Sequence, residues 1–127
     1  MRQSGPAPSQ TRDLTIASAS PDKVVGLFTA TMSGSGGSLL GILTGFAVQL
    51  ARTGTMLALA SSQAVEETDC HARIFVREPV GTLQGEAVLL HATETTANWR
   101  VTIQDEGGKR VSEISVSCGI VASEPPA

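Results

Sequence analysis

With 127 residues, 13.1 kDa, 41% apolar side chains and a mean hydropathy of +0.11, the chain is too apolar for a disordered segment and has the length of one domain. Nine Lys and Arg against twelve Asp and Glu give a formal charge of -3 and a pI near 5.3. With one Trp and three Phe, this leaves neither the basic field nor the stacking surface that nucleic-acid binding needs.

Residues 1–11, containing Gly5, Pro6, Pro8 and Ser9, lack the apolar segment of a secretory signal. They read as a flexible leader to a single domain over residues 12–122, with a flexible tail at 123–127, and the expected location is cytoplasmic. The cysteines, Cys70 and Cys118, have no C-x-x-C spacing; they suit reduced, buried thiols, with no zinc or redox motif.

Leu14-Thr15-Ile16-Ala17 and Val24-Val25-Gly26-Leu27-Phe28-Thr29 read as strands joined through the turn Ser20-Pro21-Asp22-Lys23. The glycine-rich run Ser33-Gly34-Ser35-Gly36-Gly37-Ser38 then opens an uncharged helix in which Leu39, Leu40, Leu43, Phe46, Ala47 and Leu50 recur near a 3.6-residue period. Glycines at a helix start let the backbone approach a ligand, and the unpaired N–H groups of the first turn can donate to a carbonyl or an anion. The same glycines also serve a tight helix start. Between Asp22 and Glu66 there is no Asp or Glu, so carboxylate chemistry at this turn has to come from another segment or another subunit.

Gly41-x-x-x-Gly45 has the spacing of a membrane dimerisation face. The apolar run from residue 36 to 51 is shorter than the roughly 20 residues of a spanning helix and holds Ser38, Thr44 and Gln49, so a helix buried inside a sheet accounts for it better and no membrane contact is expected. Arg52-Thr53-Gly54 reads as the helix end, with Met56-Leu57-Ala58-Leu59-Ala60 as a further helical piece. Beyond Asp69 the alternation places Cys70, Ala72, Ile74 and Val76 on one strand face and His71, Arg73, Phe75 and Arg77 on the other, until Pro79-Val80-Gly81 closes the strand. Strands follow at residues 83–91, 98–105 and 110–121, the last two joined by the turn Glu106-Gly107-Gly108-Lys109. Trp99, Val101 and Ile103 share one face, as do Ile114, Val116, Cys118 and Ile120. Strand, strand, apolar helix and a meander of three or four antiparallel strands make an α+β domain, the sheet covering one helix.

The chain resembles the hotdog-fold thioesterases of the phenylacetate-degradation and 4-hydroxybenzoyl-CoA type over roughly residues 12–122. Ser35-Gly36-Gly37 stands where that family has His-Gly-Gly, and Phe75-Val76-Arg77-Glu78-Pro79 resembles its Phe-Leu-Arg-Pro strand end. Gly85-Glu86-Ala87, the strand ending at His91, and the hairpin from Val101 to Val111 follow in the family's order. The resemblance implies an antiparallel sheet wrapped around one long buried helix and hydrolysis of acyl-CoA or acyl-carrier thioesters. It implies the backbone N–H of Gly36, with Gly37 beside it, as the donor to the thioester oxyanion.

Two positions depart from the pattern: Ser35 replaces the histidine and Thr44 replaces the helix Asp or Glu. A threonine hydroxyl can position water or hydrogen-bond a substrate, or bond back to a carbonyl one turn earlier, but it is no base at neutral pH. Thr44-Gly45-Phe46 also resembles the threonine-glycine turn of fluoroacetyl-CoA thioesterase, whose glutamate would fall near Arg52.

Because hotdog sites form across a dimer interface, the resemblance points to His71, near the start of the central strand, as a base reaching a partner's helix turn, with Asp69, Glu66 and Glu67 as acidic candidates. A lone strand histidine is more often a surface or hydrogen-bonded residue, and His91 is a weaker candidate. Arg73 and Arg77, ahead of Arg100, Lys109 and Arg110, would hold the coenzyme A phosphates. The implied assembly is a homodimer, or a dimer of dimers as a homotetramer. No metal or separate cofactor is expected, coenzyme A being part of the substrate. The alternative is a non-catalytic acyl-CoA-binding or scaffold protein that lost the catalytic carboxylate.

Overall fold

A computed structural model describes residues 14–30 and 39–123, with Ala30 and Glu67 described through their backbones only. In chain order the elements are β1 (Leu14–Ser20), β2 (Lys23–Ala30), α1 (Leu39–Ala58), β3 (Gln63–Ile74), β4 (Gly81–Ala92), β5 (Thr96–Gln104) and β6 (Arg110–Ala122). The six strands form one antiparallel sheet in the order β1-β2-β4-β5-β6-β3.

Turn chemistry sets the hairpins. At Pro21-Asp22, Ser20 Oγ donates to Asp22 Oδ1 at 2.7 Å and accepts from Lys23 N at 3.2 Å, and Leu89 N donates to Asp22 O at 2.9 Å, tying this turn to β4. Between β5 and β6, Asp105 Oδ1 accepts from the N–H groups of Gly107 and Lys109 at 3.0 and 2.9 Å, and Gly108 supplies the positive φ of 86°.

The α1 sequence is a poor helix by itself. Gly41, Gly45 and Gly54 lie inside it, and the hydroxyls of Thr44, Thr53 and Thr55 each donate to the carbonyl four residues back. Packing holds it instead. Gly26 of β2 pairs with Gly85 of β4, and a Cβ at either would lie 2.6 or 2.8 Å from a Leu50 methyl. The paired glycines thus open a slot in the sheet for Leu50 and Phe46, and Phe46 stacks on Phe28 with ring centroids 5.2 Å apart. Leu43, Leu50, Leu83, Trp99, Val101 and Ile114 complete a core with no solvent exposure beyond 1%.

The structure corrects several expectations. Gly54 does not end the helix, and α1 runs unbroken to Ala58, because a hydrogen at this position leaves room for the Trp99 ring to lie against the helix backbone. Leu40 is 53% exposed rather than in the buried stripe, since that stripe follows Ile42, Leu43, Phe46, Ala47 and Leu50. β3 starts at Gln63, taking in Glu66 and Glu67, and ends at Ile74 well before Pro79. It is neither central nor part of the meander: β4, β5 and β6 are consecutive neighbours, while β3 crosses to the far side and pairs with β6. Cys70 is exposed, because β3 is a sheet edge, whereas Cys118 is buried as expected.

Buried polar groups in this core are satisfied. Trp99 Nε1 donates to Thr55 Oγ1 at 2.9 Å, and Thr55 Oγ1 donates to Ala51 O at 2.9 Å. Burial pushes the Cys118 thiol above its ordinary 9.0, with a hydrogen bond to Thr55 and the charge of Arg52 partly opposing the rise.

An added methyl at Gly54 would meet Trp99 Cζ2 at 2.7 Å and Val24 Cγ2 at 3.0 Å, whereas one at Gly45 meets nothing within 4 Å. Gly45→Ala should therefore gain about 0.5–1 kcal/mol of stability from helix propensity. Gly54→Ala should lose about 1 kcal/mol overall, because overpacking of about 1–3 kcal/mol outweighs that gain. Urea midpoints moving in the same direction would contradict this packing. Thr55→Val strips the acceptor from a buried indole and should cost about 1–3 kcal/mol, part of which Trp99→Phe in the same background should return. Between 9.0 and the higher folded value of Cys118 the unfolded chain ionises first, so stability should fall as pH rises through that window and fall less in Cys118→Ala. Denaturant titrations across that range measure it.

Candidate functional site

Gly41, Gly45 and Gln49 recur every four residues and so share one side of α1. With Leu14, Phe28, Ile42 and Phe46 they line a cleft of about 60 Å³ between the helix, β1 and β2. Gln49 is the polar side chain in an otherwise apolar lining, and the missing Cβ at Gly45 keeps the helix side open. The cleft lies along the first three turns of the helix that the glycine-rich run leads into. Ser35, Gly36 and Gly37 themselves lie outside the described residues.

Thr44, in the second turn, is half-buried. Its hydroxyl lies 2.7 Å from Leu40 O and 3.2 Å from Gly41 O, and its proton is engaged by the helix backbone. The whole of α1 carries no Asp or Glu, and Arg52 is its charged residue. Arg52 Nη1 donates to Thr68 Oγ1 at 3.2 Å on the side of the helix facing β3, where a groove of about 410 Å³ also passes Met56, Leu59 and Val65.

β3 presents two rows of side chains. Thr68, Cys70, Ala72 and Ile74 pair with Cys118, Val116, Ile114 and Ser112, the buried row of β6 that faces α1. His71 and Arg73 pair with Ser115 and Glu113 and lie on the opposite, solvent face. Within one chain, then, His71 and Arg73 are not brought to the helix side that holds Thr44. Arg77 is exposed and lies beyond the end of β3, so it does not share a strand face with Arg73 as the alternation predicts. On the outer face Glu113 sits 3.9 Å from Arg100 Nε and 4.0 Å from Arg110 Nη1, exposed contacts that contribute little to stability. His91 is exposed near the end of β4, opposite Asn98.

Sequence reasoning missed the cleft side chains Phe28 and Gln49, and a second pocket of about 130 Å³ at the C-terminal end of α1 bordered by Thr55, Leu59, Leu89 and Trp99. The four-residue spacing of Gly41, Gly45 and Gln49 was the available signal for the first; nothing local pointed to the second. Among the described residues no group of three or more His, Cys, Asp or Glu could hold a metal ion, and no helix is long and apolar enough to cross a membrane.

No protein-family model and no curated protein matches the sequence. Solved structures do. A thioesterase from Haemophilus influenzae superposes with a TM-score of 0.78 at 15% identity, covering 90% of this chain and 83% of its own. AziG from S. sahachiroi gives 0.77 at 18% identity, covering 86% and 91%. A hypothetical thioesterase protein from Streptococcus pneumoniae with coenzyme A gives 0.70 at 15% identity, covering 90% of each chain. One antiparallel sheet curled over a single long helix, shared with these proteins nearly end to end, is the hotdog fold.

Proposed function

We propose that this chain is an acyl thioesterase that binds acyl-CoA or acyl-carrier thioesters at the N-terminal half of α1, working as a cytoplasmic homodimer. The observation that carries the reading is the apolar cleft at Phe28, Gly45 and Phe46, set on the helix turns that follow the glycine-rich run, in a fold shared with a thioesterase holding coenzyme A. An acyl group enters such a cleft by apolar burial, and its carbonyl comes to rest at the helix start.

In the proposed reaction the N–H of Gly36, with Gly37 beside it and the positive end of α1 behind it, stabilises the oxyanion formed when water adds to the thioester carbon. The C–S bond then breaks, and the proton lost by water leaves with the thiol. Ser35 and Thr44 contribute hydroxyls that orient the water, Thr44 through its lone pairs because its proton is held by Leu40 O. Arg73 and Arg77, exposed on or beside β3, supply cations for the coenzyme A phosphates. His71 lies on the solvent face of β3, so any part it plays is toward another subunit.

Release of free thiol from a panel of short, long and aromatic acyl-CoA thioesters tests the reading, with binding followed by thermal shift. Turnover should fall about 10²–10³-fold in Gly36→Pro, which deletes the oxyanion donor. Thr44→Ala should lower turnover, and Thr44→Asp, which restores a carboxylate in the second helix turn, should raise it. Full activity in both Gly36→Pro and Thr44→Ala would overturn the site assignment. Stabilisation by acyl-CoA without turnover would identify a binding protein instead.

A further inference from the structure

We infer that the pocket at the C-terminal end of α1 is a second ligand site, which takes a small primary ammonium carrying one aromatic ring. The pocket exists because small side chains meet there. Ala92 of β4 and Ala97 of β5 are cross-strand partners on the face toward α1, and Ala58, the last residue of the helix, borders the same space. The paired glycines Gly26 and Gly85 make a slot that Leu50 and Phe46 fill. The alanine pair makes one that stays open, about 130 Å³ between Leu59, Leu89, Trp99 and Ile120. An apolar cavity of about 150 Å³ takes up benzene, so this volume suits one ring.

The floor of the pocket calls for an apolar guest. Its polar atoms are already matched, since Trp99 Nε1 donates to Thr55 Oγ1 at 2.9 Å and Thr55 Oγ1 donates to Ala51 O at 2.9 Å. A hydroxyl, amide or charge set against Leu59, Leu89 and the indole would lose its water and gain no partner. The mouth is different. Glu94 and Gln63 border both this pocket and an open basin of about 760 Å³ that continues past Thr95 and Ser123. Among the described residues Glu94 is the charged member of both linings, and it has no ion-pair partner. Its carboxylate is carried on an ordered turn, in which Thr93 Oγ1 accepts from Thr95 N at 3.2 Å and from Thr96 N at 3.1 Å.

An apolar floor sized to one ring and a carboxylate at the rim describe a molecule with a ring at one end and a cation at the other. A primary ammonium on a short carbon stem spans that step, donating to the Glu94 carboxylate while its remaining N–H groups stay in the wet basin. An anion of the same shape meets like charge, with no Lys or Arg among the described residues of either lining to offset it. The site is separate from the thioester cleft. That cleft runs along the first three turns of α1 beside β1 and β2, whereas this pocket lies at the last turn against β4, β5 and β6. Its occupation can be measured whether or not the chain hydrolyses thioesters.

Trp99 is the one tryptophan in a chain without tyrosine, so its fluorescence reports on this pocket directly. Titration of the full chain with 2-phenylethylammonium at neutral pH should change the emission and saturate with a dissociation constant on the order of 1 mM, as suits a fragment of this size. The neutral isostere 2-phenylethanol should bind about fivefold more weakly, and 3-phenylpropanoate should give no saturable change. Glu94→Gln should lower the ammonium to the alcohol's affinity and leave the alcohol where it was. Ala58 and Ala92 are exposed at the pocket, so Ala58→Leu and Ala92→Leu should each fill it and abolish the response to both probes, with urea midpoints at or above that of wild type. Nuclear Overhauser contacts between the ligand ring and the indole of Trp99 should place the ammonium in wild type independently of any variant. An ammonium that binds no better than the alcohol, or equally well to Glu94→Gln, would overturn the ligand class. No saturable response, a response that survives both leucine variants, or a bound ring without contacts to Trp99 would overturn the site.

Discussion

The constraint on which the rest of this molecule depends is the seating of Leu50 and Phe46 in the slot made by Gly26 and Gly85. A helix with three internal glycines and three back-bonding threonines gains little from its own sequence, and close contact with the sheet supplies the order it lacks. The two glycines are on neighbouring strands and directly paired, so the approach is a property of the sheet and of neither strand alone. One turn further along α1 the same solution recurs, with Gly54 admitting the Trp99 ring and Thr55 accepting its N–H. Anchored at its middle and again in its C-terminal half, the helix holds one side toward β1 and β2 and another toward β3.

That orientation governs what chemistry is possible. The side toward β1 and β2 forms the cleft, where Gly41 and Gly45 give up side chains and Gln49 supplies a single polar group. A carboxylate on this helix would bring general-base capacity to the cleft; Thr44 brings a hydroxyl already committed to Leu40 O. In the reaction proposed above, the chemistry therefore rests on oxyanion stabilisation and water positioning, which depend on geometry and not on ionisation.

β3 is an end strand of 12 residues, and its solvent face carries charges of both signs, Asp69 and Arg73. His71 lies between them on that same face, opposite Ser115 of β6, which is why it stands apart from the helix side.

Much of the architecture was legible in local sequence, because alternation and period reflect which side of an element meets the core. Trp99, Val101 and Ile103, the row from Ile114 to Cys118, and the turns at Pro21 and Gly108 belong to this class. Gly54 misled because a glycine that ends a helix and one that admits an indole look alike until the indole is in place. The position of β3 was equally hidden: alternation describes the two faces of a strand and carries nothing about which neighbour it chooses. Of the candidate site, the sequence by itself determined the helix without acids, the threonine in its second turn and the residue types along β3, since these are facts of composition and spacing. Only the tertiary structure decided that Phe28 and Gln49 close a cleft around Gly45 and that His71 and Arg73 turn away from it, because both depend on contacts between segments far apart in the chain.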